Sequence, residues 1–193
     1  MWESFISRLT KELFTRQNSC NAPIEVFQYG IEICISTFAT LFSIFILSYW
    51  LGMPVSAFLY LIVYIPLRIT CGGYHANTYL KCFLISNMNY LGTIAVSQIL
   101  TFLPISKFIW LILLLTSALY ISLNAPITNM HHPIHNNLLK KNRNMAIVLL
   151  FINCSFLVYI YVSNLQSFLF NLATITIVSV AIQMLPIIIK RSA

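Results

Sequence analysis

Acidic side chains are nearly absent from this chain. Its 193 residues include four acids, which are all glutamates and lie at positions 3, 12, 25 and 32. Residues 33–193 therefore offer no carboxylate side chain for catalysis. Glycosidases and aspartic proteases use a pair of carboxylates at the reacting bond. Because both carboxylates would have to come from the first 32 residues, the sequence argues strongly against these two classes of enzyme.

Charged residues of either sign are also scarce, at 8% of the chain. A soluble domain carries about 25%, and disordered chains are rich in charge and poor in apolar residues. Here 59% of the residues are hydrophobic, and the mean hydropathy is +0.84. The composition therefore excludes a soluble globule and predicts an all-α, polytopic membrane protein.

Six apolar stretches separated by turns predict about six transmembrane helices in a single membrane-embedded domain, because a span needs about 20 apolar residues. The stretches lie near residues 29–51, 54–69, 82–103, 107–123, 145–163 and 166–189. Two longer polar connections occupy residues 68–81 and 124–144. Within residues 1–18, apolar side chains recur at steps of three and four, which is typical of an amphipathic helix in the membrane interface. A helix packed on the rest of the protein is the alternative.

The basic residues orient the predicted spans, because lysine and arginine concentrate in cytoplasmic loops. With the N-terminus in the cytoplasm, ten of the eleven basic residues lie on the inner side, and Lys107 lies outside. Both termini and both long connections are therefore expected in the cytoplasm. This distribution accounts for most of the net charge of +7 without a nucleic-acid partner.

The first connection carries the residues best suited to chemistry. Within it and at its end lie an arginine, two glycines, a histidine and a cysteine: Arg68, Gly72, Gly73, His75 and Cys82. An imidazole beside a thiol can take the thiol proton and later return it to a leaving group. Asn77 or Thr78 can cap a helix containing Cys82, and a helix N-terminus favours the thiolate. By itself, the His–Cys pair does not distinguish a catalytic dyad from two unrelated residues.

The same five residues resemble the accessory gene regulator B (AgrB) family, membrane endopeptidases of Gram-positive quorum sensing. The second connection adds residues 125–127, 132–134 and 140–143, which look like the inner loop of this family. The length and the hydropathy pattern also fit, so the resemblance covers nearly the whole chain.

The resemblance implies an activity, a partner and a location. Members of the family cut a precursor peptide, AgrD, at its C-terminal tail and hold the product as a thioester on the catalytic cysteine. A thiol within the precursor then attacks the thioester and gives a cyclic thiolactone autoinducing peptide. The expected partners are thus an AgrD-like precursor and the lipid bilayer, with the site on the cytoplasmic side of a bacterial cell membrane. The resemblance implies no cofactor, and a homodimer is compatible with so little soluble surface.

Carried over residue by residue, the resemblance assigns roles to the first connection. Cys82 matches the nucleophile and His75 the base. Arg68 and Gly73 match positions that support activity, and Gly72 belongs to the same motif. A guanidinium at this position could hold a substrate carboxylate or the oxyanion, whereas its plain alternative is a charge that sets topology.

The remaining polar residues leave alternatives open. Lys140 and Lys141 can attract an acidic precursor tail, or can mark the inner membrane surface alone. Cys71 is the rival nucleophile, and backbone amides near Cys82 are one source of oxyanion donors. A zinc site would use His131, His132 and His135, but Pro133 disrupts their helical spacing and no carboxylate is near to support it. We therefore expect no metal.

Two other functions compete with peptide processing. One is a small membrane transporter or exporter of a peptide, and the other is a non-catalytic membrane subunit. Neither requires a reactive thiol, so substitution of Cys82 separates them from an endopeptidase.

Overall fold

A computed structural model describes residues 24–73, 78–102, 107–127, 136–163 and 168–192. The amphipathic helix that we expect within residues 1–18 lies outside these ranges. The described residues form six helices and no strand, which confirms the all-α prediction. The helices are α1 Ile24–Trp50, α2 Pro54–Cys71, α3 Tyr79–Phe102, α4 Lys107–Asn124, α5 Asn136–Val162 and α6 Phe168–Ser192.

Each helix covers one of the six predicted apolar stretches. The largest difference is at α5, which begins at Asn136 and not near residue 145. Lys140 and Lys141 consequently lie on a helix and not in a loop. At the other connection, α2 extends to Cys71, so Arg68 occupies its last turn.

Four helices of the described chain are long and apolar enough to cross a membrane. These segments are Gln28–Trp50, Pro54–Cys71, Leu138–Val162 and Phe168–Leu185. The apolar part of α4, Ile109–Asn124, is shorter. α3 has 24 residues but buries polar side chains, among them Asn87, Thr93 and Ser97, which lowers its hydropathy. Six spans and two cytoplasmic termini therefore stay predictions.

The last helix forms the centre of the bundle. α6 packs against α2, α3, α4 and α5, and 61% of its residues in the window Phe168–Leu185 are buried. In α1 the corresponding share is 6%, and large apolar side chains such as Phe38, Phe42 and Trp50 are exposed. Lipid tails are as apolar as these side chains, so a peripheral helix can present them to the bilayer at little cost.

Hydrogen bonds between helices hold α3 in place. The Ser43 hydroxyl on α1 lies 2.7 Å from Asn87 Oδ1, and the hydroxyls of Ser56 and Tyr90 are 2.8 Å apart. Asn89 Nδ2 donates to the Tyr60 hydroxyl at 2.6 Å. In an apolar surrounding an unpaired polar group costs free energy, so these pairs restrict how α3 can turn and therefore which side chains of α3 face the interior.

Candidate active site

α2 is followed by a glycine whose backbone dihedral angles are rarely adopted by other residues. Gly72 has φ 72° and ψ −148°, a combination that is essentially restricted to glycine. Its N–H donates to the carbonyl of Arg68 at 3.1 Å. The helix therefore ends at Cys71, and the chain turns away toward the segment that precedes α3.

The beginning of the second connection packs directly on this turn. The Ile127 N–H donates to the Cys71 carbonyl at 2.9 Å, and Gly72 and Ile127 form an isolated parallel bridge. A Cβ atom on Gly72 would meet the carbonyl oxygen of Ile127. Ala125 and Ile127 are both buried, and the Ala125–Pro126 peptide is cis. Residues 125–127 carry part of the family resemblance, but their support of the glycine turn was not predicted from the sequence.

The Arg68 side chain folds back over the same turn. Its Nη1 donates to the Gly72 carbonyl at 2.6 Å, and the guanidinium also hydrogen-bonds the Tyr64 hydroxyl. Gly73, with φ 125°, lies so close to the guanidinium that a Cβ atom on Gly73 would meet Arg68 Nη1. Arg68 is thus more than a charge that sets topology, because it holds the glycine turn against the last turn of α2.

The candidate nucleophile lies in the first turn of α3. Thr78 Oγ1 accepts a hydrogen bond from the Lys81 N–H at 3.3 Å, which confirms the predicted cap. The Cys82 N–H donates to the Thr78 carbonyl at 3.0 Å. Cys82 is half-buried, whereas Cys71, the rival nucleophile, has no exposed surface.

Cys82 and Arg68 line the same cavity, which has a volume of about 320 Å³. α1, α2, α3 and α6 contribute its walls, and most of the surface in the cavity belongs to apolar atoms. Its polar lining residues include Ser36, Thr37, Thr40, Tyr64, Arg68, Cys82, Ser86 and Gln183. The Tyr64 hydroxyl donates to Gln183 Oε1 at 2.9 Å and lines the cavity together with Cys82. Two of the predicted site residues, Arg68 on α2 and Cys82 on α3, therefore line one cavity.

A second, more apolar cavity of about 390 Å³ lies beside the first, and the two share Ser36. Its other lining residues are Ala39, Tyr79, Leu80 and Phe83. Together, the two cavities form a recess between α1 and the first turns of α3 that extends from Cys82.

The one glutamate side chain described in the structure lies near this recess. Gln28 Nε2 donates to Glu32 Oε1 at 3.1 Å, and the Tyr79 hydroxyl also hydrogen-bonds Glu32. Burial, this hydrogen bond and the negative charge of Glu32 raise the pKa of Tyr79 to about 12. Tyr79 is therefore a neutral donor at physiological pH and joins α1 to the start of α3.

The remaining predicted residues fall into two groups. His75, the predicted base, and His131, His132 and His135 lie outside the described residues. Lys140 and Lys141 are exposed on the first turns of α5 and do not line the cavity. Tyr64, Gln183 and the α1 hydroxyls were missed by sequence reasoning, because no local motif marks a residue that meets the site only through helix packing.

The fold and the site together define a class: a polytopic helical membrane protein with a thiol in a cavity between its helices. The model of the Accessory gene regulator B family matches residues 3–187, so the chain belongs to the AgrB family. It is therefore a membrane protein of the agr quorum-sensing system, and the family implies a role with an AgrD-type precursor. No curated protein and no solved structure matches the chain.

Proposed function

We propose that this protein is a membrane cysteine endopeptidase that removes the C-terminal tail of an AgrD-type precursor and promotes cyclisation of the remainder. The observation that carries this proposal is the half-buried Cys82 at the start of α3, in one cavity with Arg68. Membership of the AgrB family supports the choice of substrate.

In the proposed reaction, the Cys82 thiolate attacks the carbonyl carbon of the scissile bond. His75 takes the thiol proton and gives it to the departing amine, so the tail leaves with a new N-terminus. The rest of the precursor stays on Cys82 as a thioester. A thiol within the precursor then attacks this thioester, forms the thiolactone and returns the proton and the free thiol to Cys82. No water is consumed, because the peptide bond is exchanged first for the thioester on Cys82 and then for the thiolactone.

The cavity suits such an intermediate. Its volume of about 320 Å³ falls in the range of ligand pockets, roughly 300–1,000 Å³. Most of its surface is apolar, so few polar groups would hold water beside the thioester. Cyclisation then competes well with hydrolysis, because the attacking thiol belongs to the bound substrate and the water does not.

Two lysines contribute at a distance in this proposal. Lys140 and Lys141 are exposed at the beginning of α5, where they can attract an acidic tail without touching the reacting atoms. Predicted topology places them, and the site, on the cytoplasmic side of the cell membrane.

The deciding experiment uses a precursor that lacks its internal cysteine, so that the thioester cannot leave by cyclisation. The unmutated protein should accumulate a covalent adduct that hydroxylamine releases, whereas Cys82→Ala should form none. The matched control is Cys34→Ala, which removes an exposed free thiol from α1 and should form the adduct normally.

Cleavage of the precursor by Cys82→Ala would refute the proposal. Processing that survives Cys82→Ser would instead favour an exporter or a non-catalytic subunit. Substitution of His75 by alanine should slow adduct formation by about 10²–10⁴-fold, the usual contribution of general acid–base catalysis.

A further inference from the structure

One amide at the cavity has a hydrogen-bond donor without an acceptor. Gln183 on α6 lines the cavity together with Cys82 and Arg68. Its Oε1 accepts from the Tyr64 hydroxyl at 2.9 Å, but its Nε2 is buried and has no hydrogen-bond partner. A buried polar group left unpaired costs about 1–3 kcal/mol, so the position of this amide calls for an explanation.

The neighbouring side chains determine which way the amide is oriented. Arg68 hydrogen-bonds the Tyr64 hydroxyl, and a guanidinium can only donate. The Tyr64 oxygen therefore accepts from Arg68 and uses its own hydrogen toward Gln183. Because the Tyr64 hydroxyl donates to the glutamine, the atom that faces it must be an acceptor. The carbonyl of the amide therefore faces Tyr64, and the NH₂ group is left for another partner.

Gln183 is also tied to the glycine turn through its backbone. Its carbonyl oxygen and Arg68 Nη1 are both near neighbours of the position that a Cβ atom on Gly73 would take. The amide therefore belongs to the same cluster as Arg68 and the end of α2. The other unpaired polar atoms of the described interior, on Tyr120 and Asn171, belong to residues that do not line this cavity.

We propose that Gln183 Nε2 binds the carbonyl oxygen of the scissile peptide bond and stabilises the oxyanion formed there. This inference rests on the function proposed above. When Cys82 sulfur bonds to the carbonyl carbon, the π electrons of the C=O bond move to oxygen. Nε2–H donates to that oxygen while the charge persists. The charge returns to the C=O bond when the C–N bond breaks, and the amine departs with the proton.

The side chain can make this contact with a small adjustment. Because Nε2 is buried, an oxygen entering the cavity must draw the amide toward itself by rotation about the soft last torsion of the glutamine. This rotation lengthens the hydrogen bond from Tyr64. The substrate-free enzyme then carries the cost of the unpaired donor. The hydrogen bond from Nε2 to the oxyanion removes this cost in the transition state. Such a donor lowers the barrier more than it strengthens the binding of substrate.

The test compares two reactions of the same thiol in Gln183→Met, which keeps the length of the side chain but has no donor. Acylation by the cysteine-free precursor forms an oxyanion, whereas alkylation by iodoacetamide at a saturated carbon does not. We expect the acylation rate at saturating precursor to fall by about 10²–10³-fold, the usual effect of losing one oxyanion donor. The rate of Cys82 alkylation should not change.

A matched control is Asn171→Leu on the same helix, which also removes a buried amide. Asn171 lies about 18 Å from Gln183 along the helix axis and donates to Thr101. The Asn171→Leu variant should be acylated by the precursor at the normal rate. An unchanged acylation rate in Gln183→Met would overturn the inference. An equal fall in acylation and alkylation would also overturn it, since Gln183 would then act on the thiol or on folding.

These outcomes are separate from failure of the proposed function. If Cys82→Ala still cleaves the precursor, then Cys82 is not the nucleophile, whatever Gln183→Met does. If the unmutated protein forms the Cys82 adduct and Gln183→Met forms it as fast, only the assignment of Gln183 is wrong.

Discussion

Replacement of Gly73 by alanine would separate the contribution of the Arg68 side chain from that of backbone strain. Gly73 and Gly52 both have positive φ, 125° and 69°, where a residue with a Cβ atom pays about 1–3 kcal/mol. At Gly52 the added Cβ meets nothing within 4 Å. At Gly73 it meets the Arg68 guanidinium, which is the far end of a flexible side chain and must move away.

The displaced guanidinium loses its hydrogen bond to the Gly72 carbonyl. A hydrogen bond to a charged group contributes about 1.5–3 kcal/mol, so Gly73→Ala should be less stable than Gly52→Ala by at least that amount. The strain at position 73 adds to it, because φ 125° lies farther than φ 69° from the left-handed helical region. Because Arg68 also lines the cavity, acylation per folded molecule should fall about tenfold or more, which corresponds to about 1.4 kcal/mol of barrier. Gly52→Ala should acylate at the normal rate.

The assay measures thermal unfolding in detergent and the hydroxylamine-sensitive adduct, each normalised to folded protein. Gly92→Ala, on an open face of α3 with nothing within 4 Å, provides the unstrained control and should be as stable as the unmutated protein or slightly more so.

A double-mutant cycle then tests the cause. If alanine at position 73 acts by moving Arg68, it should cost little further activity in an Arg68→Ala background. A full additional loss in that background, or normal acylation by Gly73→Ala alone, would refute the reasoning.

Two further predictions concern topology and thiol access. A cysteine introduced by Lys141→Cys should react with membrane-impermeant reagents from the cytoplasmic side alone, because ten of eleven basic residues are predicted to lie inside. Labelling of this cysteine from outside intact cells would contradict the predicted orientation. In detergent, iodoacetamide should modify Cys82 well before Cys71, since Cys82 is half-buried and Cys71 has no exposed surface; equal rates would argue against the access that the cavity provides.

Local features of the chain were sufficient to predict much of the helical framework. The apolar stretch 54–69 corresponds to α2, which has proline in its first turn and a glycine just beyond its end. Asn77 or Thr78 was predicted to cap the helix containing Cys82, and the Thr78 side chain does accept from the Lys81 N–H. These elements depend on hydropathy, on capping and on glycine geometry, which are properties of neighbouring residues.

The identity of the residues around the thiol was decided by tertiary structure. Gln183 reaches the cavity from the last helix, and Ile127 supports the glycine turn from the second connection, although neither lies in a motif with Cys82. Hydropathy could not reveal such contacts, because the lipid-facing and core-facing sides of a membrane helix are similarly apolar. Which face of α6 turns inward is determined by packing against α2, α3 and α4. That packing brings the Gln183 amide, from one end of the chain, to the same cavity as the Cys82 thiol near its middle.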